Sequence, residues 1–581
     1  MIRPSGLEMA WARFDAKSPN VESKTDITTK DPQKRPEIIQ NLRGPKLMIS
    51  RGVISSIAGM FVVIIIPACI RSWLRRRYSL YRVTQTGKQG QVISRLQGVP
   101  TRFVELATGT ASLTQGFVEI GRRIYLVGGS VRDMIVDSSR PPRSSGLPDE
   151  SRDPIEVDGS IRSVSPDLDF TTDATPEETE RVLRSLRIPT WDQGKRFGTI
   201  GCVFEGIKCE ITTHRTENYD PGSRKPHVEF SSQIHQDLSR RDFTINAIAL
   251  SLPDLEIVDP FDGIGDLIAR RLRTPIPVSE SFNDDPLRML RTARFIAKGF
   301  QPDPDIAQGV SQLKDRLEIV SRERVRDELD KLMIEPDPSQ GLWFIVNTGL
   351  AEFFLPELPA LALEQDPVHR HKDVLAHTIA VVSKTNPDRI LRLAALFHDV
   401  GKPATRKIGP SGPSFHFHDV VGAKMTRRRM RELRYPGHDI DQVSKLVELH
   451  LRFHTYKMGW TDSAVRRYVR DAGEYLARLN ELTRCDCTTR NQSKAKALAD
   501  RMDSLERRID ELKGQEELSA LRPDLSGDEV MEVLGLPPGP IIGKALGFLL
   551  EIRINEGPLS KEEAIGRLMA WWSDRGDLQT S

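Results

Sequence analysis

Cysteine is scarce here: five residues in 581, at positions 69, 202, 209, 485 and 487. An odd, scattered set builds no disulfide framework and suits a reducing cytoplasm. Cys485 and Cys487 form the one close pair, and two thiolates alone do not make a tetrahedral zinc site. An excess of one charge is missing as well. Lys+Arg 84 against Asp+Glu 81 leaves a net +3. That excludes a histone-like polycation, but not a nucleic-acid enzyme whose basic residues are clustered. Composition is unbiased, with 38% hydrophobic and 28% charged residues, which excludes collagen-like and wholly disordered chains. At roughly 100–200 residues per domain, the length predicts about three to five domains.

Long apolar runs are nearly absent. Residues 53–70 are 18 in a row without a charge, with Arg51 before and Arg71, Arg75, Arg76 and Arg77 after. The run meets the lower length for a membrane span, but Pro67, Ser55 and Ser56 weaken it, and a 50-residue polar lead is wrong for a signal peptide. It reads as an anchor helix, as a buried or interfacial helix, or as part of upstream sequence that takes no part in the fold. The third reading is favoured, which makes residues 1–115 an N-terminal extension that is disordered or spurious. Membrane contact is expected only if 53–70 forms a real helix.

From 124 to 270 the pattern is α/β. An apolar run at 124–127 ends in Gly-Gly, as a strand entering a turn does. Residues 138–166 hold five prolines with many Ser, Arg and Asp and read as a flexible insertion. Strand-like runs at 199–204 and 208–213 flank Glu205-Gly206, a hairpin signal. From about 280 the pattern is helical. Leu287, Leu290, Ala293 and Phe295 fit one helix face.

Four segments of the α/β part carry chemistry. Gly128-Gly129-Ser130-Val131-Arg132-Asp133 lets backbone approach a phosphate closely at a helix N-terminus, with Arg132 facing it. In Asp167-Leu168-Asp169-Phe170 the i, i+2 spacing of a strand puts both carboxylates on one face, a pair suited to Mg²⁺. Ser239-Arg240-Arg241-Asp242 precedes an apolar stretch read as a helix; Arg241 suits phosphate oxygens, and Asp242 suits capping or orienting Arg241. In the run from Asp284-Asp285-Pro286 to Arg294, Asp285 and Arg288 offer an acceptor and donors to a base edge, while Arg288, Arg291 and Arg294 recur every three residues. Each segment also has a bland reading: a common turn, a solvated strand end, a helix cap, a surface salt-bridge ladder.

Taken together and in this order, the segments resemble the class II tRNA nucleotidyltransferase and bacterial poly(A) polymerase superfamily, over roughly 120–575. Asp-Pro-Phe-Asp-Gly at 259–263 belongs to the same pattern. The resemblance implies an α+β chain: a small nucleotidyltransferase-fold α/β head at 120–275, a helical neck at 276–355, an HD domain at 360–495 and a tRNA-binding helical tail at 496–581. It implies Asp167 and Asp169 as catalytic Mg²⁺ ligands. It further implies that Gly128, Gly129, Arg132, Arg241, Arg291 and Arg294 hold the nucleotide, and that Asp285 and Arg288 select CTP or ATP at the base edge. Glu210 is a third carboxylate by strand position. Gly194–Arg196 and residues 219–226 fall where the family has mobile elements. Two departures stand out: Asp284 where the family often has Glu, and the 138–166 insertion, whose length a surface loop absorbs cheaply.

A second centre is expected further on. Residues 391–402 read LRLAALFHDVGK, and His377, His398, Asp399 and Asp486 resemble the ligand set of HD phosphohydrolases. Imidazole with carboxylate suits Ni²⁺, Mn²⁺, Co²⁺ or Zn²⁺; His418 and His450 are further candidates for a second metal. The relatives suggest 2′,3′-cyclic phosphodiesterase or phosphatase action on RNA ends. Residues 424–434, with six basic residues and one acid, are a phosphate-binding candidate or a solvated face. The expected function is untemplated addition of CCA to tRNA from CTP and ATP, in the cytoplasm, with tRNA as partner and no stable protein partner. A poly(A) polymerase or a CC-only or A-only enzyme shares every head motif. An HD phosphohydrolase with an inactive head, and a membrane-tethered RNA-binding protein, are the alternatives from other classes.

Overall fold

The computed structural model describes residues 101–139, 167–218, 227–363, 373–410, 412–455, 460–487, 491–515 and 521–576. They all fall in one compact unit. The apolar run 53–70, residues 140–166 of the insertion and the stretch 219–226 lie outside the described residues. Among those described, no helix is long and apolar enough to cross a membrane, and the four described cysteines are free.

The head is a seven-stranded sheet: β1 (Ile124–Val127), β2 (Asp167–Thr172), β3 (Thr190–Trp191), β4 (Thr199–Phe204), β5 (Ile207–Thr213), β8 (Ala249–Leu252) and β9 (Ile257–Val258). Strands β6 (Arg215–Asn218) and β7 (His227–Phe230) pair separately. The order is β3-β4-β5-β2-β1-β8-β9. β1 is apolar and buried at every position because it lies inside the sheet, between β2 and β8. The β4–β5 turn is a two-residue hairpin in which Glu205 and Gly206 both have positive φ, 50° and 77°. That is the backbone whose twist matches the flanking strands. β2 and β5 run parallel, with Asp167 opposite Lys208 and Asp169 opposite Glu210. This register puts the metal-binding motif and Glu210 on adjacent strands.

Three boundaries differ from the sequence reading. Residues 101–115, assigned to the extension, belong to the head: Thr101–Gly109 and Ala111–Glu119 are helices whose Phe103, Leu106, Leu113 and Phe117 are buried in its core. Their spacing is helical, but threonines and glycines dilute it. One of those glycines, Gly116, lets the helix close on Pro176–Ser185, since a Cβ there would sit 2.8 Å from Val182. The apolar stretch after Asp242 is not a helix. It forms a 3₁₀ turn at Thr244–Asn246 and then β8; a short apolar run fits a buried strand as well as a helix, and here the sheet takes it. Helix Gln492–Gln515, assigned to the tail, buries Met502, Leu505, Ile509 and Leu512 in the same core as the HD domain.

In the neck, helix Val278–Asp284 ends because Asp285 precedes Pro286, which holds Asp285 extended at φ −136°. Helix Leu287–Ala297 then packs on Arg322–Met333 and Ser339–Asn347. Arg392, 1% exposed, ties neck to body by donating to the carbonyls of Met333, Glu335, Pro336 and Thr385. The tail has its own small core around Leu525, Val530, Leu549 and Leu568, and meets the body through Arg467 and Arg470 on Glu551.

Candidate active site and second metal centre

Asp167 and Asp169 open β2 with the exposed–buried–exposed alternation expected of a strand, so both carboxylates leave the same face. Burial pushes the Asp169 carboxyl up; Arg241 opposes this, and the neighbouring Glu210 and Asp167 carboxylates add to it. Three acids crowded on one face favour a bound cation. Facing them, Gly128 ends β1 at φ +76°, a backbone that favours glycine, and helix Gly129–Ser139 follows at once. A Cβ on Gly128 would lie 3.4 Å from Arg241 Nη1 and 3.7 Å from Asp169 Oδ2, so the turn, the arginine and the acid meet at one point.

The arginines are held by acids and an amide, of which Asp237, Asn246 and Glu328 were not assigned from the sequence. Asp237, fully buried, takes Arg240 at 2.7 Å and Arg241 at 3.3 Å. Burial alone would raise its carboxyl, but the two guanidiniums outweigh that and hold it at about 2. Arg241 Nε is buried without a partner, a donor left for a ligand oxygen. Arg132 donates to Asn246 Oδ1 at 2.7 Å and to Asp133 at 2.8 Å. Asp242 orients Arg291 rather than Arg241, accepting from its Nε at 2.8 Å and Nη2 at 2.6 Å. Glu328, 2% exposed, accepts from Arg294 and stands 4.0 Å from Arg291. Glu328 and Asn246 lie 34 and 114 positions from their partners, beyond any local pattern, whereas Asp237 stands at helical i, i+3 and i, i+4 spacing to Arg240 and Arg241, a signal the sequence reading missed.

Between head and neck lies a cavity of about 630 Å³. Glu210, Lys208 and Trp191 line it from the sheet, and Asp285, Arg288 and Arg324 from the neck. Asp285 accepts a two-pronged ion pair from Arg324, which the sequence reading also missed, at 2.8 and 3.3 Å. Arg288 is nearly buried and gives its guanidinium to Ser281 Oγ at 2.8 Å, the Ser281 carbonyl at 3.2 Å and the Arg240 carbonyl.

The body brings all four expected HD residues together. His377 sits on Val374–Lys384, His398 and Asp399 directly follow Arg389–Phe397, and Asp486 ends Leu476–Asp486. His377 Nε2 lies 2.8 Å from Asp486 Oδ1, 3.4 Å from His398 Nε2 and 3.6 Å from Asp399 Oδ2. His418 and His450 complete a neighbouring group around the other Asp399 oxygen: His418 Nε2 is 3.5 Å from Asp399 Oδ1 and 3.2 Å from His450 Nε2. His398, His418 and His450 each set Nδ1 against the carbonyl three residues back, at 2.8, 2.7 and 2.6 Å. That leaves every Nε2 aimed inward, the usual arrangement of metal-binding imidazoles. Burial disfavours charge on His398, yet Asp399 and Asp486 raise its pKa, while burial holds His450 at about 4. Lys402 also pairs with Asp399, its Nζ 2.6 Å from Oδ2.

The basic stretch 424–434 lies on helix His418–Glu432 and just beyond it. Arg429 is consumed by Glu357 at 2.8 Å, whereas Lys424, Arg428, Arg431 and Arg434 are exposed.

Comparison with known proteins agrees with this geometry. The sequence matches the Poly A polymerase head domain over residues 124–273. It also matches the probable RNA and SrmB-binding site of polymerase A over 299–361 and the HD domain over 374–508. An A-adding tRNA nucleotidyltransferase of Deinococcus radiodurans is 36% identical over 361 residues, 59% of this chain and 81% of that protein. A CC-adding tRNA nucleotidyltransferase of Thermus thermophilus is 34% identical over 451 residues, 73% of this chain and 95% of that one. The solved structure of Bacillus stearothermophilus CCA-adding enzyme in complex with CTP shares the fold, at TM-score 0.56 and 23% identity, over 82% of this chain and 99% of that one. With head, RNA-binding and HD segments in this order and relatives matched over most of their length, the chain belongs to the tRNA nucleotidyltransferase family.

Proposed function

We propose that this protein adds nucleotides to the 3′ end of tRNA, building CCA from CTP and ATP without a nucleic-acid template. The observation that carries the reading is the meeting of Asp167, Asp169 and Glu210 with the Gly128 turn and Arg241, beside a cavity whose far wall bears Asp285 and Arg288. Asp167 and Asp169 would hold Mg²⁺, which supplies charge neutralisation for the triphosphate and polarises its phosphorus–oxygen bonds. The chain's own residues do the rest. Arg241 and Arg132, with the Gly128–Gly129 backbone, receive phosphate oxygens; Arg291 and Arg294, fixed by Asp242 and Glu328, face the sugar and phosphates from the neck. Asp285 and Arg288 read the base edge. The 3′-hydroxyl of the RNA releases its proton to water, its oxygen bonds to the α-phosphorus, the bond to pyrophosphate breaks, and pyrophosphate leaves.

The relatives include A-adding, CC-adding and CCA-adding enzymes. The direct test is incubation of the protein with tRNA lacking its last three nucleotides and with labelled CTP, ATP, UTP and GTP in turn. Ordered C, C, A incorporation supports the reading. A long A tail, only C, only A, or nothing contradicts it. Enzyme, tRNA and nucleotides would meet in the cytoplasm.

A second activity rests on the inward-facing imidazoles. His377, His398 and Asp399, with Asp486 beside His377 and His398, form a donor set that fits Ni²⁺, Mn²⁺ or Co²⁺. Asp399, His418 and His450 form a second set sharing one carboxylate. With metal bound there, this centre suits hydrolysis of phosphate esters at RNA ends, 2′,3′-cyclic phosphates above all.

A further inference from the structure

We propose that Arg324 is the residue that makes the base-reading site accept only bases with an amino group at pyrimidine C4 or purine C6, by fixing Asp285 as a one-position acceptor. The inference rests on the nucleotide-adding reading above and names a determinant of its selectivity.

Asp285 stands in the break between two neck helices, extended ahead of Pro286. A free aspartate there could turn about its Cβ–Cγ bond and offer either oxygen. Here it cannot turn. Arg324 Nη2 donates to Oδ2 at 2.8 Å and Nη1 to Oδ1 at 3.3 Å, while the Leu287 backbone N–H donates to Oδ1 at 3.2 Å. A carboxylate has roughly four lone-pair positions, so three are filled and one, on Oδ2, stays open. Asp285 and Arg324 both line the cavity. Cytosine N4 and adenine N6 carry N–H donors for such a position, whereas uracil O4 and guanine O6 are acceptors that meet it oxygen to oxygen. A guanidinium fork suits this task better than an ammonium, because its planar geometry sets the carboxylate plane as well as its charge.

The supporting helix is built for it. Arg324 and Glu328 lie four apart on Arg322–Met333, hence on one face. Glu328 holds Arg294 while Arg324 holds Asp285, so one helix face orients both the base-reading acid and a phosphate-facing arginine. Arg324 is 38% exposed in its side chain, and its proposed action on the base passes through Asp285. It is a positioning residue.

The test measures kcat/KM for single-nucleotide addition to tRNA primers with CTP, UTP, ATP and GTP, in wild type, Arg324→Gln, Arg324→Lys, Asp285→Asn and the double variant Arg324→Gln/Asp285→Asn. Arg324→Gln should lower the CTP:UTP and ATP:GTP ratios by about tenfold or more, ~1.4 kcal/mol, with a smaller change in kcat for CTP and ATP. Arg324→Lys, with charge but no fork, should fall between. Added to Asp285→Asn, Arg324→Gln should change the ratios no further, because its effect passes through that carboxylate. Unchanged ratios in Arg324→Gln and Arg324→Lys, or additive losses in the double variant, overturn the proposal. Wild-type protein that adds neither C nor A would instead overturn the function it rests on.

Discussion

Replacing Asp242 by alanine should loosen the junction of head and neck, and the size of the effect follows from its contacts. Four N–H groups converge on this carboxylate: Arg291 Nε at 2.8 Å and Nη2 at 2.6 Å, Asn246 Nδ2 at 2.9 Å and the Phe243 amide at 2.8 Å. Removing one member of a buried ion pair costs about 3–5 kcal/mol, because the other charge stays behind. The Arg291 side chain is 29% exposed and has Glu328 at 4.0 Å, so water and a second acid recover part of that. The expected loss is about 2–4 kcal/mol. Urea unfolding followed by far-UV circular dichroism reads it as a lower midpoint with little change in slope. Arg291→Ala and the double variant close a thermodynamic cycle, in which the coupling should exceed about 1 kcal/mol. A midpoint unchanged in Asp242→Ala, or a coupling near zero, would refute the argument that this pair clamps the neck helix to the head.

Acid should act through Asp237. Its folded carboxyl lies at about 2 against roughly 3.9 unfolded, and it is wholly buried. A depressed pKa stabilises the fold above the unfolded value and loses that contribution as pH falls through 4 towards 2, about 2.5 kcal/mol at most. Asp237→Asn should flatten stability against pH in that window, and an unchanged acid limb would sink the assignment. Phe103→Ala should cost about 3–5 kcal/mol if residues 101–115 belong to the head as packed here; an unaltered urea midpoint would return them to the extension. Asp399→Ala should spare nucleotide addition while abolishing bound transition metal, read by elemental analysis, and any cyclic-phosphate hydrolysis. Retained metal or lost addition would contradict two separate centres.

What the sequence made legible and what it hid divide along a physical line. Asp167 with Asp169, His398 with Asp399, and the Glu205-Gly206 hairpin are local patterns whose geometry follows from strand period, chain adjacency or turn type. In all three the geometry is the one the local pattern implies. Hidden were the partners brought together by tertiary folding: Glu328 under Arg294, Asn246 on Arg132 and Arg324 on Asp285. No periodicity connects Asp285 to a residue 39 positions on. The run after Asp242 misled because five buried residues from Phe243 to Ala247 suit either a helix or the entry to a sheet, and only the neighbouring β1 decides between them. Residues 101–119 misled for the opposite reason, since their apolar period is helical but thin.

The central claim is that the acid cluster on β2 and β5 performs the addition. Single-turnover CMP and AMP addition by Asp169→Asn, an isosteric change that removes one charge, tests it most directly alongside filter binding of tRNA. The rate should fall by about three orders of magnitude, ~4 kcal/mol of barrier, with tRNA affinity unchanged. A rate within about tenfold of wild type would contradict it.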